Sequence, residues 1–494
     1  MAASGGSAEA RAAAQAATEA VPEYGFFIGG RWEAAVETMP VKHKYTGETL
    51  ARVGVASRED VRRAVDAAER AFREQRPSPR ERAAWLLRTA ELIEAHREEL
   101  GRLIAREAGK PLKEALTEAG RAVNTFTVAA EEAKRIAGEL VPIEADPGSE
   151  GRFAFAMRVP IGVVAAISPF NFPLNLVAHK VAPALAAGDT VVLKPASATP
   201  LTAIRLVELL SEAGVPAGRI NLVTGPGSPV GDYLVADPRP ALVTFTGSAA
   251  VGEQIKARSG LKRVTLELGN NSPNIVHGDA DLDLAADRLA RQAFLSAGQK
   301  CISVQRIYVQ RPVLEPFLER LERVTAQLVV GDPEDPATDV GPMISEREAE
   351  RVEGWIREAV EAGARVLAGG RRRGALLEPT ILLDVTPEMK VVCMEAFAPI
   401  VTVTPYDTLD EALRYANDTP YGLQAGIFTS SLEVAMRAAR ELEFGGVIVN
   451  DSSAYRADLM PYGGVKGSGI GREGPRYAMQ EMTELRTVVF HLPK

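Results

Sequence analysis

The stretch Gly162-Val163-Val164-Ala165-Ala166-Ile167-Ser168-Pro169-Phe170-Asn171-Phe172-Pro173 decides the architecture. Its first half is a continuous apolar run that reads as a buried strand. Its second half is a loop stiffened by two prolines. Downstream the alternation continues with a helix from about Asn175 to Ala187, strand Thr190–Lys194, a helix from about Thr202 to Ala213, and strand Ile220–Thr224. A short helix near Val230, strand Leu242–Phe245, a helix from Ala249 and strand Val264–Leu268 complete the series. Short apolar strands alternating with helices predict an α/β fold, a doubly wound parallel sheet with helices on both faces and ligands beyond the C-terminal ends of its strands.

On the N-terminal side, Val61, Ala64, Val65, Ala68 and Phe72 recur at three-and-four spacing. Ala84, Leu86, Leu87, Ala90 and Leu92 do so more loosely, so Arg58 to Leu140 reads as helical up to a Pro/Gly-marked break at Pro142–Gly151. On the C-terminal side a second alternating set spans Asp283 to Asn450, with helices near Val313–Leu328 and Glu346–Ala362. Strands near Ile400–Pro405, Gln424–Phe428 and Gly446–Asn450 make it a second α/β domain. Glu484–Leu492 is strand-like, and a terminal strand with a free edge pairs with another domain or another chain. Residues 1–21, rich in Ala, Gly and Ser, lack the apolar core of a signal peptide. Ala8–Ala20 has a helical composition, but the segment reads as a frayed tail.

A chain of 494 residues is too long for one ordinary core. A net charge of -8 leaves no Lys/Arg excess for nucleic-acid phosphates. The densest basic run, Arg371-Arg372-Arg373, reads as a solvated turn beside Gly369-Gly370. No apolar run reaches the ~18 residues of a membrane span. Two cysteines cannot build a disulfide framework, which fits a reducing, cytoplasmic setting. Five histidines without a close pair argue against a metal site.

Three features carry chemistry. Cys301, in Gly298-Gln299-Lys300-Cys301-Ile302-Ser303, sits beside a lysine that can lower its pKa and make it a nucleophile. A lone cysteine is nevertheless more often a buried, inert one, and Cys393 fits that description better. Glu267 ends a predicted buried strand, where a dry site raises a carboxyl pKa toward general-base use. An ion-paired strand-end glutamate is the equal alternative. Asn171 lies in the loop after the first strand, where its amide can donate to an oxyanion. The plain alternative is a stiff loop.

Taken together, these residues resemble the aldehyde dehydrogenase superfamily from about Gly25 to the C-terminus. Seven motifs occur in the family's order: Pro169-Phe170-Asn171-Phe172-Pro173, Leu193-Lys194-Pro195, Phe245-Thr246-Gly247-Ser248, Leu266-Glu267-Leu268-Gly269, Gly298-Gln299-Lys300-Cys301, Glu395-Ala396-Phe397-Ala398-Pro399 and Pro461-Tyr462-Gly463-Gly464-Val465-Lys466-Gly467-Ser468-Gly469. The resemblance implies that Cys301 attacks the aldehyde, Asn171 holds the oxyanion, and Glu267 activates the water that hydrolyses the thioester. Lys180 and Glu473 match positions of structural support or proton relay.

Ile167, Ser168, Pro169, Phe170, Lys194, Ser197, Gly227, Gly231, Phe245, Thr246, Gly247, Ser248, Leu268, Gly269, Glu395 and Phe397 would hold NADP or NAD. Lys194 would touch the adenosine ribose, Glu395 the nicotinamide ribose, and Phe397 would pack beside it. Phe245-Thr246-Gly247-Ser248 ends a strand and opens a helix, so its free N–H groups can meet a pyrophosphate. The turn Gly225-Pro226-Gly227 with Gly231 departs from the G-x-G-x-x-G spacing, as the family does. NAD-preferring members often carry an acidic residue three after the lysine. Here Ser197 stands there, which tolerates a 2′-phosphate and favours NADP.

Within the superfamily the chain looks most like the lactaldehyde and non-phosphorylating glyceraldehyde-3-phosphate dehydrogenase group. The stretches Tyr421-Gly422-Leu423-Gln424-Ala425, Gly298-Gln299-Lys300-Cys301-Ile302-Ser303 and Asn450-Asp451-Ser452-Ser453-Ala454-Tyr455-Arg456 support this. Lys300 and Arg456 would favour a small hydroxylated or anionic aldehyde, with Phe172 lining the same space; the equal alternative is that both are ordinary ion-pair or surface residues. Two departures stand out: Phe172 replaces the tyrosine of phosphate-binding relatives, and Asn270-Asn271 replaces the common Gly-Lys pair. A CoA-acylating dehydrogenase has less need of Glu267, and a non-catalytic structural or binding protein would not require Asn171, Glu267 and Cys301 together. The expected domains are a cofactor domain (22–138 and 160–268), a catalytic domain (269–482) and a small β element (139–159 with 483–494) that joins subunits into homodimers or homotetramers.

Overall fold

The computed structural model describes residues 21–492, so the tail and its Ala8–Ala20 segment lie outside the described residues. The strands Val163–Ile167, Thr190–Lys194, Ile220–Leu222, Leu242–Thr246 and Arg263–Glu267 are parallel neighbours in one eight-stranded sheet. Alternation along a buried strand explains its two coats. Val164 and Ala166 face a core shared with helices Pro79–Ala95, Leu112–Ala133, Asn175–Ala187 and Leu201–Glu212. Val163, Ala165 and Ile167 face the opposite core, under helices Arg58–Glu74 and Ala249–Arg258. Both faces are therefore covered, as a doubly wound sheet requires.

The first strand pairs with Thr190–Lys194 on one side and with Leu242–Thr246 on the other. The chain thus reverses direction of winding between Ile167 and Thr246, and a crevice opens beyond their C-terminal ends. Two features of this sheet are absent from the periodicity. Phe26–Ile28 and Arg31–Glu33 add antiparallel strands at one edge, and Gly469–Ile470 adds one at the other by pairing with Leu266 and Glu267. Residues 469–481, read from sequence with the second domain, thus lie on the first: helix Pro475–Glu481 packs on Asn175–Ala187. Two residues of strand give no period to detect.

The second sheet has seven strands, all parallel except Arg365–Ala368, in the spatial order 365–368, 380–383, 400–406, 306–310, 273–276, 424–428, 446–449. In Arg371-Arg372-Arg373 the outer two are exposed as expected of a solvated turn, but the segment is a short hairpin strand and Arg372 is ion-paired. Arg372 and Arg373 pair with Leu376 and Leu377, and Arg372 meets Glu346, Glu350 and Glu353 of the neighbouring helix. Strands Glu139–Val141, Arg152–Pro160 and Thr483–His491 form a separate antiparallel sheet, so the terminal strand pairs within its own chain. Its surface carries exposed Leu140, Phe153, Met157, Val489 and Phe490. No helix among the described residues is long and apolar enough to cross a membrane.

Candidate active site

Three segments far apart in sequence converge on Cys301. Helix Leu282–Phe294 ends in a tight turn where Ser296 and Ala297 both take the left-handed conformation, at φ 52°. Non-glycine residues held there store strain, which persists only where surrounding structure enforces it. Gly298 follows at φ 67°, and a Cβ there would lie 2.0 Å from the Ala398 carbonyl oxygen, so glycine is obligatory. The turn delivers Cys301 just ahead of strand Arg306–Gln310. Asn171, from the loop after Ile167, is buried, and its Nδ2 donates to the Gln299 carbonyl oxygen at 2.8 Å, two residues from the cysteine.

Glu267 closes the first sheet beside the cysteine. Its pairing with Gly469 threads the glycine-rich segment past it, and a Cβ on Gly463 would come within 3.0 Å of Glu267 Oε1. Both carboxyl oxygens are buried with no hydrogen-bond partner among the described residues. Burial, and then the charge of Glu473, push its pKa well above the ordinary carboxylate range, against Arg456, Lys180 and Arg472. An unpaired buried carboxyl is costly, and active sites are where such groups persist.

Lys180 and Glu473 meet as a buried pair: Lys180 Nζ donates to Glu473 Oε1 at 3.2 Å and to Thr246 Oγ1 at 2.7 Å. Arg456 donates to the other Glu473 oxygen at 2.9 Å. These cations hold Glu473 down at about 2, although burial opposes them.

The sequence reading missed Tyr462. Its hydroxyl lies 2.8 Å from Cys301 Sγ, and the Arg456 guanidinium stacks 3.7 Å over its ring. A signal was present, because Tyr462 lies inside the Pro461–Gly469 motif. The expected cause of thiol activation needs correction. Burial raises the Cys301 thiol to about 11, opposed by the Tyr462 hydrogen bond and the Arg456 charge. Lys300 Nζ points instead toward Gln292 Oε1, 3.4 Å away. Cys393, expected to be buried, is exposed at the end of a single helical turn.

A cavity of about 490 Å³ opens onto Cys301, lined by Phe172, Lys300, Arg456 and Tyr462 and also by Lys113 and Arg121. Arg121 reaches Asp458 through two bonds, at 3.1 and 2.7 Å, and Arg456 is taken by Glu473. Arg456, expected either to bind an anionic substrate or to serve in an ion pair, is therefore ion-paired while still lining the cavity. Lys300 has no carboxylate within ion-pair distance among the described residues, and burial brings its pKa down to about 8. The Phe172 ring lies under Lys110 Nζ at 3.5 Å.

On the other side of Cys301 lies the crevice between Ile167 and Thr246. Ser168 Oγ is buried without a partner among the described residues, and Ser248 precedes helix Ala249–Arg258 without capping it, so first-turn N–H donors stay free for an anion. Lys194 is buried, its Nζ donating to the Pro195 carbonyl oxygen at 3.0 Å. Gly231 sits against its side chain, and Ser197 follows in a half-buried turn. Phe170 and Phe397 meet edge to face at 5.8 Å. Glu395 accepts from the Asn270 backbone N–H at 2.9 Å, and a Cβ on Gly269 would collide with its carboxylate. This donor set of free N–H groups, a buried lysine, a carboxylate and two rings fits a dinucleotide. In Asn270-Asn271, Asn271 donates to the Val392 carbonyl oxygen and accepts from the Thr419 hydroxyl, holding the segment before Glu395 and the Thr419 turn together.

A family model described as the aldehyde dehydrogenase family matches residues 32–488. The chain is 52% identical over 472 residues to the 3-sulfolactaldehyde dehydrogenase of Priestia aryabhattai, covering 96% of this chain and 99% of that one. It is 42% identical over 468 residues to the lactaldehyde dehydrogenase of Methanocaldococcus jannaschii, covering 94% and 99%. Among solved structures, the glyceraldehyde-3-phosphate dehydrogenase GapN of Methanocaldococcus jannaschii, complexed with NADP, superposes with a TM-score of 0.88 at 41% identity, covering 92% of this chain and 99% of that one. The chain belongs to the aldehyde dehydrogenase family and is an oxidoreductase.

Proposed function

We propose that this protein oxidises a small anionic or hydroxylated aldehyde, of the sulfolactaldehyde or lactaldehyde kind, to its carboxylic acid with NADP or NAD. The observation that carries the reading is Lys300, a cation free of carboxylate partners among the described residues, in the cavity that ends at Cys301. A sulfonate or carboxylate there gains a charge-assisted hydrogen bond. The names of the two curated relatives point the same way.

In this mechanism Cys301 Sγ, as thiolate, bonds to the aldehyde carbon. The resulting oxyanion is held by the Cys301 backbone N–H and by the Asn171 amide N–H not used by Gln299. The oxidised nicotinamide, when bound, supplies the acceptor for the hydride that leaves that carbon. Glu267, unpaired and adjacent, then takes a proton from water as the water oxygen attacks the thioester, the C–S bond breaks and the acid departs. Because its pKa is raised, this step quickens as pH climbs through that raised value. Lys194, Ser197, the Thr246-Gly247-Ser248 turn and Glu395 bind and orient the dinucleotide. The pair Lys180–Glu473 holds Thr246 and Arg456 in place.

The exposed apolar residues of the small sheet support a homodimer or homotetramer, and the composition suits the cytoplasm. A panel of short aldehydes, with and without an anionic group, assayed with NAD and NADP and with product analysis for acid against acyl-CoA, tests the reading. Selectivity for anionic aldehydes with acid as product is expected. Equal use of propanal, or acyl-CoA as product, would overturn it.

A further inference from the structure

We propose that Tyr462 is a catalytic residue, whose phenolic O–H is the hydrogen-bond donor that stabilises the Cys301 thiolate. The two atoms stand 2.8 Å apart at the end of the cavity, where Tyr462 is buried and Cys301 is partly exposed. A hydroxyl serves both protonation states of the thiol. While sulfur keeps its proton, the S–H donates to the phenolic oxygen. Once that proton leaves for a base, the phenol turns its own O–H toward the sulfur and keeps it. A phenylalanine could do neither.

The placement is built rather than incidental. A backbone bridge joins Tyr462 to Glu473, Glu473 holds Arg456, and Arg456 lies on the face of the Tyr462 ring. A cation over the ring draws electron density from it and makes the O–H a stronger donor. The remaining charged groups around the sulfur are Glu267 from the first sheet and Glu395 from its loop, which both oppose a thiolate, and Lys300, whose Nζ reaches Gln292. Tyr462 and Arg456 are therefore what offsets burial.

The proposal rests on Cys301 being the nucleophile but not on the choice of aldehyde. Its test is the rate of alkylation by iodoacetamide between pH 7 and 10, below the thiol's inflection, where the rate follows the thiolate fraction and neither aldehyde nor cofactor is needed. A wrong substrate assignment leaves this readout intact. Exposed Cys393 is first replaced by serine so that one thiol reports. Tyr462→Phe keeps the ring under Arg456, and losing the donor should slow alkylation at pH 8 by about 3–10-fold. Replacing tyrosine throughout by 3-fluorotyrosine, a stronger donor, should speed it and serves if the phenylalanine variant misfolds. Superimposable rates, or faster alkylation in Tyr462→Phe, would overturn the proposal.

Discussion

The two sides of Cys301 are assembled in different ways. The proposed cofactor side is framed by the ends of neighbouring strands, a loop after Ile167, a turn after Thr246 and a strand end at Glu267, with Lys194, Glu395 and two rings set around them. The substrate side is made of side chains from four distant places, Lys113 and Arg121 on one helix, Phe172 on a loop, Lys300 beside the cysteine, and Arg456 and Tyr462 near the C-terminus. Backbone-built sites tolerate little variation and leave motifs. Side-chain-built sites can be retuned one residue at a time, which is how one fold serves many aldehydes. Glu267 belongs to the boundary between them.

The largest expected effect breaks that boundary. Glu267→Gln should leave a rapid burst of about one reduced cofactor per site but slow acid release and the steady state by about 10²–10³-fold, because thioester hydrolysis loses its base. Rapid-quench measurement of acid release checks this. A steady state within about twofold of the parent would mean that another group activates water.

Lys300→Met tests the substrate side alone. KM for an anionic aldehyde should rise by ~10-fold, with KM for propanal unchanged. Lys300 titrates at about 8, and the protonated form is the binding form. KM for the anionic aldehyde should therefore be low below that pH and climb above it, and the climb should vanish in Lys300→Met. Equal effects on both aldehydes would remove the anion argument. Arg456→Ala is a poorer probe, since Arg456 also supports Glu473 and Tyr462.

The smallest expected effect lies on the cofactor side. Ser197→Glu should depress NADP turnover relative to NAD by several-fold, through repulsion of the 2′-phosphate. Kinetic ratios for the two cofactors, with unchanged KM for aldehyde, would confine the change to that cleft. An unaltered ratio would refute the assignment of Ser197.

Much of this was legible in the residues. Apolar runs such as Val163–Ile167 and Leu242–Thr246 announce buried parallel strands, because covering both faces leaves no polar alternation. Asn171, Glu267 and Cys301 stood out through their motifs. The edge strands at Phe26–Glu33 and Gly469–Ile470 did not, since two or three residues carry no period. Arg121 was invisible too, being one more arginine on a helix until folding set it against the cavity.

By itself, then, the order of amino acids determined the layered α/β architecture and singled out Cys301 as candidate nucleophile and Glu267 as strand-end carboxylate, because each depends on local pattern. Only the tertiary structure decided the electrostatics. Burial raises Cys301 where its neighbour Lys300 alone argued for lowering, and the partners that oppose burial, Tyr462 and Arg456, lie far away near the C-terminal end of the chain. Charge interactions and desolvation act through space, and sequence separation does not measure that distance.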